Sequence, residues 1–232
     1  MSEKPITEVD GGETLLSRIR DAETVEDWSF ILNDYLSFGN SKIADTVAIF
    51  NMNSATDCPN RETDNCQVPY GDCYAGKAER KYPQPLPYRR RQEYLWDCLP
   101  PKLWAKAFLQ VVDRKRNPVD TIRFSEAGDF RNNGDIKRVD IIAGILSEHD
   151  IDVYTYSASD YLNWEIAENF TVNASNPWFD NADRKYMAVD AGKELPDGAV
   201  WCPYDYSDGE KKCGDCRLCV DANGPHVAIP LH

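Results

Sequence analysis

At 232 residues, 42% hydrophobic and 11% aromatic, the chain is long enough to bury a core and too apolar for a disordered segment. Its 39 acidic side chains against 26 Lys and Arg leave a net charge of −13. That balance argues against binding driven by nucleic-acid phosphates and suits a surface kept hydrated in a salt-loving host. No apolar stretch reaches bilayer length, and residues 1–5 hold no signal-peptide core. The expectation is a cytoplasmic protein with reduced thiols and no membrane contact.

The first dozen residues read as a loose leader. Over residues 13–36, Leu15, Leu16, Ile19, Trp28, Ile31, Leu32, Tyr35 and Leu36 recur near helical spacing, predicting one or two amphipathic helices. Gly39-Asn40 ends them. Residues 46–50 read as a short buried strand running into a polar loop that carries Cys58, with Cys66 and Cys73 beyond it. Residues 74–82 are helix-compatible, and Pro83, Pro85 and Pro87 interrupt them. Arg89, Arg90 and Arg91 form the one concentrated positive run, either a solvated helix face or an anion or nucleic-acid contact. Residues 92–112 continue as a helical pattern broken at Pro100-Pro101, with Cys98 inside it as a buried free cysteine.

The next stretch reads as strand (121–125), helix (139–146) and strand (151–156), which implies parallel strands joined by a right-handed crossover. A short helix over 163–168 and a strand over 170–175 follow. Residues 185–189 and 199–202 are further strand candidates, and 220–232 read as a tail. The repeated units predict an α/β fold with a mainly parallel sheet, open or partial (β/α) barrel-like. An N-terminal leader and helical segment (1–40), a core with the first cysteine group (41–200) and a cysteine-rich C-terminal segment (201–232) divide it. In either sheet form, sites gather at the C-terminal ends of strands.

The chemistry lies in the cysteines. Cys213, Cys216 and Cys219 follow a C-x2-C-x2-C run with Cys202 just upstream, a ligand pattern that suits an iron–sulfur cluster better than zinc. Four thiolates close such a centre. Cys58, Cys66 and Cys73 are three, which leaves a centre open; zinc completed by a histidine or carboxylate, or an arrangement shared with the C-terminal set, are the alternatives. Glu126 and Asp129, on the loop after the 121–125 strand, are the candidate catalytic acids. Gly128, Asp129 and Ser157 are the candidate cofactor-binding residues, a carboxylate there being suited to a ligand ammonium. No Ser–His triad, phosphate loop, G-x-G-x-x-G or H-E-x-x-H is present.

Residues 51–58, the Cys66…Cys73-Tyr74-Ala75 ending, the Arg123-Phe124-Ser125-Glu126-Ala127-Gly128-Asp129-Phe130 stretch and the Trp201-Cys202-Pro203…Cys213-x2-Cys216-x2-Cys219 segment resemble the "gene product 88" domain of actinobacterial phages and haloarchaeal plasmids and viruses. That resemblance covers residues 40–222 and implies a mobile-element protein. More distantly, the chain is similar to radical S-adenosylmethionine (SAM) enzymes. There, three cysteines hold a [4Fe–4S] cluster that binds SAM, and a Gly-Gly-Glu motif holds the SAM amino group. This resemblance implies a cluster at Cys58, Cys66 and Cys73, a SAM contact at Ala127-Gly128-Asp129, and an auxiliary cluster at Cys202, Cys213, Cys216 and Cys219. The spacing here is C-x7-C-x6-C where that family has C-x3-C-x2-C, and Asp stands for Glu.

The expected function is thus an iron–sulfur protein of a virus or plasmid. It would be a radical-SAM-like redox enzyme, an oxidoreductase or transferase, on an unspecified substrate and with an electron donor as partner. The alternative is a non-enzymatic accessory protein stabilised by zinc or iron–sulfur, which contacts a protein or nucleic acid through Arg89, Arg90 and Arg91.

Overall fold

Short runs of β-branched and aromatic residues build one sheet, and longer amphipathic runs cover it. The computed structural model describes residues 5–61, 66, 71–175, 179, 181–190, 192–207 and 209–230. In chain order these form α1 (Gly12–Asp21), α2 (Val25–Asn33), β1 (Ser37–Phe38), β2 (Val47–Phe50), α3 (Tyr74–Lys81), α4 (Pro85–Cys98), α5 (Pro101–Asp113) and β3 (Thr121–Phe124). They continue with α6 (Asn133–Ser147), β4 (Asp152–Ser157), β5 (Thr171–Ser175), β6 (Arg184–Val189), β7 (Ala199–Trp201), α7 (Pro203–Tyr206), α8 (Cys213–Cys216) and β8 (His226–Pro230). The sheet runs β1-β2-β3-β4-β5-β6-β8-β7. Only β1 is antiparallel to its neighbour; every other pair is parallel. The α/β class and the mainly parallel sheet are therefore present, and the sheet stays open rather than closing into a barrel.

Register sorts the strand residues into two faces. Ala48, Phe50, Ile122, Phe124, Val153, Val172 and Ala174 join the helices in one buried core. Its centre is aromatic: the Trp104 ring lies 5.4 Å from both Phe50 and Phe124. The opposite face carries Val47, Ile49, Arg123, Tyr154, Tyr156, Asn173, Arg184 and Tyr186 in register. Parallel strands covered on both sides normally read as unbroken apolar runs. The polar half of these strands thus marks a face that is not ordinary core.

Local chemistry accounts for the helix starts. Thr24 and Asp27 make a capping box on α2, and the Asn132 side chain accepts from the Gly134 and Asp135 amides at the start of α6. α3 ends at Lys81, ahead of the prolines expected to interrupt it, and Pro85 then opens α4, where the first turn needs no intrahelical N–H. α6 likewise starts six residues before the run at 139–146, on polar residues of its first turn. The 163–168 helix is reduced to a 3-10 turn at Trp164–Ile166.

Three further readings are corrected. The residues read as a tail contain β8, which stands between β6 and β7; residues 231–232 lie outside the described ones. Cys98, expected buried, is exposed at the end of α4. The leader, described from Pro5 onward, forms a 3-10 turn at Ile6–Glu8 before α1, and its residues 1–4 lie outside the described ones. Among the described residues no helix is long and apolar enough to cross a membrane.

One buried charge cluster sits between α4, α6 and the loop after β3. Arg131 pairs with Asp97 at 2.7 Å, Asp135 at 2.9 Å and Glu93 at 3.4 Å. Among the described residues Glu93 Oε2 has no partner, and burial, only partly offset by Arg131, pushes its carboxyl from the ordinary 4.5 up to about 7. A folded-state value above the unfolded one favours folding below pH 4.5, and that contribution is lost as pH rises through 7. Glu93→Gln is therefore expected to stabilise the protein at pH 8 by on the order of 2–3 kcal/mol. The gain should shrink toward zero near pH 5. Urea denaturation at the two pH values measures it, and an equal difference at both would exclude titration of Glu93 as the cause.

Candidate metal and substrate site

Because β2, β3, β4 and β5 are parallel neighbours, the loops that follow them leave from one edge of the sheet. Those loops and the polar face enclose a cavity of about 630 Å³, within the usual range for a small-molecule site. Cys58, Cys66 and Cys73 line it, with Ser125, Glu126, Gly128 and Asp129 from the loop after β3, and Ser157 from the end of β4. Its sheet-side wall is Arg123, Tyr154, Tyr156 and Tyr186, and Cys213 of the second cysteine set reaches it as well.

The first cysteine loop is gripped from two helices. Cys73 is the N-cap of α3, and two turns later Glu79 reaches back under the loop. Its Oε1 accepts from the Ala55 amide at 2.8 Å, and its Oε2 from the Thr56 amide at 2.9 Å and the Thr56 hydroxyl at 2.8 Å. Arg89 neutralises Glu79 at 2.7 Å. Arg90 donates to both carboxylate oxygens of Asp57, the residue before Cys58, at 2.8 and 3.1 Å. Arg91 lies over the Tyr35 ring and donates to the Asp10 carbonyl. The arginine run is therefore turned inward onto the cysteine loop and the N-terminal segment. It forms neither a solvated face nor a free contact patch.

Asp129 is placed at the cavity but is already engaged. Its Oδ1 accepts from Ser157 Oγ at 2.6 Å and from the Phe130 amide at 2.7 Å; its Oδ2 accepts from the Ala158 amide and from the Asn60 side-chain amide, each at 2.7 Å. Burial raises its carboxyl to about 6 against the pull of these donors. Asp129 thus ties together the loops after β2, β3 and β4. Ser157 is occupied in the same knot. Gly128 has φ +72° and lies against Asn53, where a Cβ would run into the side-chain oxygen that accepts from the Asp129 amide at 3.0 Å. Its need for glycine comes from this packing. Glu126 differs from these: it is half-buried, among the described residues one donor, the Asn40 side-chain amide, reaches its carboxylate at 3.1 Å, and Tyr74 donates to its carbonyl at 2.6 Å.

The second set lies on the polar face beneath the cavity. Cys202, Cys213, Cys216 and Cys219 line one small pocket with Tyr154 and Tyr156. The single turn of α8 puts Cys213 and Cys216 on one side, and Arg217, at φ +52°, reverses the chain so that Cys219 comes back to them. The segment is fastened to the sheet: Thr171 donates to the Val220 carbonyl at 2.6 Å, Asn173 to that of Cys219 at 3.0 Å, and the Cys213 amide to that of Lys42 at 3.2 Å. Burial pushes the Cys213 thiol up to about 11, with Cys219 adding to it, and raises Cys58, with the Asp129 charge adding to it. A bound cation would reverse that preference and hold thiolates.

Among the described residues no three His, Cys, Asp or Glu side chains are gathered tightly enough to grip a single ion. The donors fit a metal–thiolate centre in kind, and one buried group argues for negative charge beside them. Arg184 is 0% exposed; it donates to the Leu218 carbonyl through Nη1, while Nε and Nη2 have no partner among the described residues. Its charge acts on Cys219. A four-thiolate iron–sulfur or zinc centre is anionic and would compensate this cation.

Arg123, Tyr154, Tyr156, Tyr186, Glu79 and Arg184 were not predicted as site residues. A signal for the strand residues existed: Arg123 interrupts an apolar parallel strand, and Tyr154 and Tyr156 are two apart, hence on one face. Nothing local marks Glu79 or Arg184. Comparison of the chain with protein-family models, curated proteins and solved structures found no match.

Proposed function

We propose that the chain is an iron–sulfur enzyme acting on a small molecule in the strand-edge cavity. Cys202, Cys213, Cys216 and Cys219 would hold a closed centre, and Cys58, Cys66 and Cys73 an open one. The observation that carries this reading is that one 630 Å³ cavity is walled by all three thiols of the first set and reaches Cys213 of the second. Thiols serving only as staples need no such space. A cluster with an open position supplies one-electron chemistry to whatever binds there, and SAM is the ligand we propose on the radical-SAM resemblance. Glu126 is the carboxylate for a ligand ammonium, because it keeps acceptor capacity facing the cavity. Asp129, Gly128 and Ser157 position its loop. The tyrosines keep water from the reacting end of the cavity. The resemblance to the gene product 88 domain adds a mobile-element origin in a salt-loving host, in keeping with the acidic surface and a cytoplasmic setting.

Anaerobic purification with iron, sulfide and zinc counted per chain tests this. About eight irons are expected for the wild type and about four for Cys73→Ala, and the electron paramagnetic resonance signal of the reduced wild type should change on adding SAM. Loss of both centres or of neither in Cys73→Ala contradicts the two-site arrangement. Zinc without iron overturns the enzyme reading and leaves a metal-stapled accessory protein.

A further inference from the structure

Arg123 is the one guanidinium on the cavity wall of the sheet, and its pairing differs from that of its neighbours. Arg89, Arg90 and Arg131 each have a carboxylate partner. Among the described residues no carboxylate lies within ion-pair distance of Arg123, and its Nε, a buried atom on a partly buried side chain, has no hydrogen-bond partner. The guanidinium carbon stands 4.7 Å from the centre of the Tyr156 ring. Burial works against its charge, while Tyr74, Tyr154 and Tyr156, and then Glu126, favour it, and the net shift is upward, so the group stays cationic. In a chain with 39 acidic residues, an unpaired cation at the floor of a cavity has been kept from the partners available to it.

A second orphan stands in the wall of the same cavity. Ser125 lines the cavity, is buried, and its Oγ has no partner among the described residues. Its φ of +56° is costly for a residue with a side chain, and strain of this kind collects at ligand sites. Beside these two groups the rings of Tyr154, Tyr156 and Tyr186 form a continuous wall, with centroids 5.8 and 4.7 Å apart in turn.

We infer that the cavity binds an organic anion, its carboxylate or phosphate group held by Arg123 and Ser125 and its body laid along Tyr154, Tyr156 and Tyr186. The planar fork of arginine matches both oxyanions with two parallel hydrogen bonds, and in a site shielded from water such a pair is strong. Glu126, on the same cavity, disfavours a second negative charge on the ligand and leaves that side to a neutral or cationic end. This deepens the reading of the cavity as a substrate site, yet it does not depend on any metal.

Calorimetric titration of the purified protein with benzoate, phenyl phosphate and benzyl alcohol tests it. At least one of the two anions should bind in the micromolar to millimolar range, the stronger of them identifying the headgroup, and benzyl alcohol should not. Arg123→Lys keeps the charge and loses the fork, so affinity should fall by about tenfold; Arg123→Gln should abolish binding. Removing an unpaired buried charge should not lower the melting temperature, so Arg123→Gln is expected to stay folded. Arg123→Lys carries the same test if it does not. Binding of benzyl alcohol as tight as that of benzoate, anion binding unchanged in Arg123→Lys, or no anion binding by the wild type would overturn the proposal. The same titrations on Cys73→Ala protein separate the two claims: anion binding should persist there whether or not the iron count supports the clusters.

Discussion

Glu79→Gln is expected to cost about 3–5 kcal/mol of folding stability, read as a lower urea midpoint with an unchanged slope. Glu79 is almost wholly covered, its side chain 1% exposed, and it answers four donors from two segments. An amide in its place has one oxygen, so its NH2 would face either the Thr56 amide or the Arg89 guanidinium, both donors. In the second orientation Arg89 would keep its charge with only the Ala75 carbonyl, at 3.1 Å, still accepting from it. Replacing Arg89 by Met in the Glu79→Gln background should restore part of the loss, because the two costs share one orphaned charge. Simple additivity of the two changes would show that the pair is not coupled. Any metal bound by Cys58 and Cys73 should be lost more readily from Glu79→Gln than from the wild type, since Glu79 is what holds their two segments together.

Asp129→Ala should be destabilising on a similar scale, by about 4 kcal/mol. The carboxylate accepts from Ser157, Ala158, Phe130 and Asn60 in a setting 5% exposed. Alanine leaves the two amides without that acceptor, and each buried donor so stranded costs roughly 1–3 kcal/mol before relaxation; the Asn60 side chain keeps its bond to Ser159 Oγ at 2.8 Å. Against a typical total of about 5–15 kcal/mol, this is a large share. Asp129→Asn should lose less, because one oxygen remains. Chemical denaturation of both variants checks the ranking. Equal stability of Asp129→Ala and the wild type would mean that this knot does not hold the strand-edge loops.

These two residues mark where the sequence could be read and where it could not. The strands at Val47–Phe50, Thr121–Phe124, Asp152–Ser157 and Thr171–Ser175 follow from apolar, β-branched runs bounded by turn residues. Their parallel pairing follows from the helix-sized connections, and with it the edge on which Cys58, Glu126 and Asp129 meet. What a side chain does at that edge depends on partners far away in the chain. Asp129 resembles a ligand-binding acid until Asn60 and Ser157, 69 and 28 residues distant, are seen to saturate it. The arginine run looks solvated until Glu79 and Asp57 are found beneath it. Arg123 shows in the sequence only as a break in an apolar strand, since a single charged residue has no periodicity of its own to mark a role. β8 was missed for a different reason: a short run of apolar residues becomes a strand only when a sheet has a gap for it.

That gap bears on how the molecule is made. Among the described residues β7 pairs with β8 and with no other strand, and β8 follows it in the chain by some two dozen residues. During synthesis β7 therefore emerges as a solitary extended segment, with its only template still inside the ribosome, for roughly a few seconds at ordinary elongation rates. Cys202 leaves with it, next to β7, and Cys213, Cys216 and Cys219 emerge before β8 does. The four thiols thus pass through a stage in which they share a growing chain without a finished floor beneath them. Whatever loads or protects them must act within that window or wait until β8 slides into place.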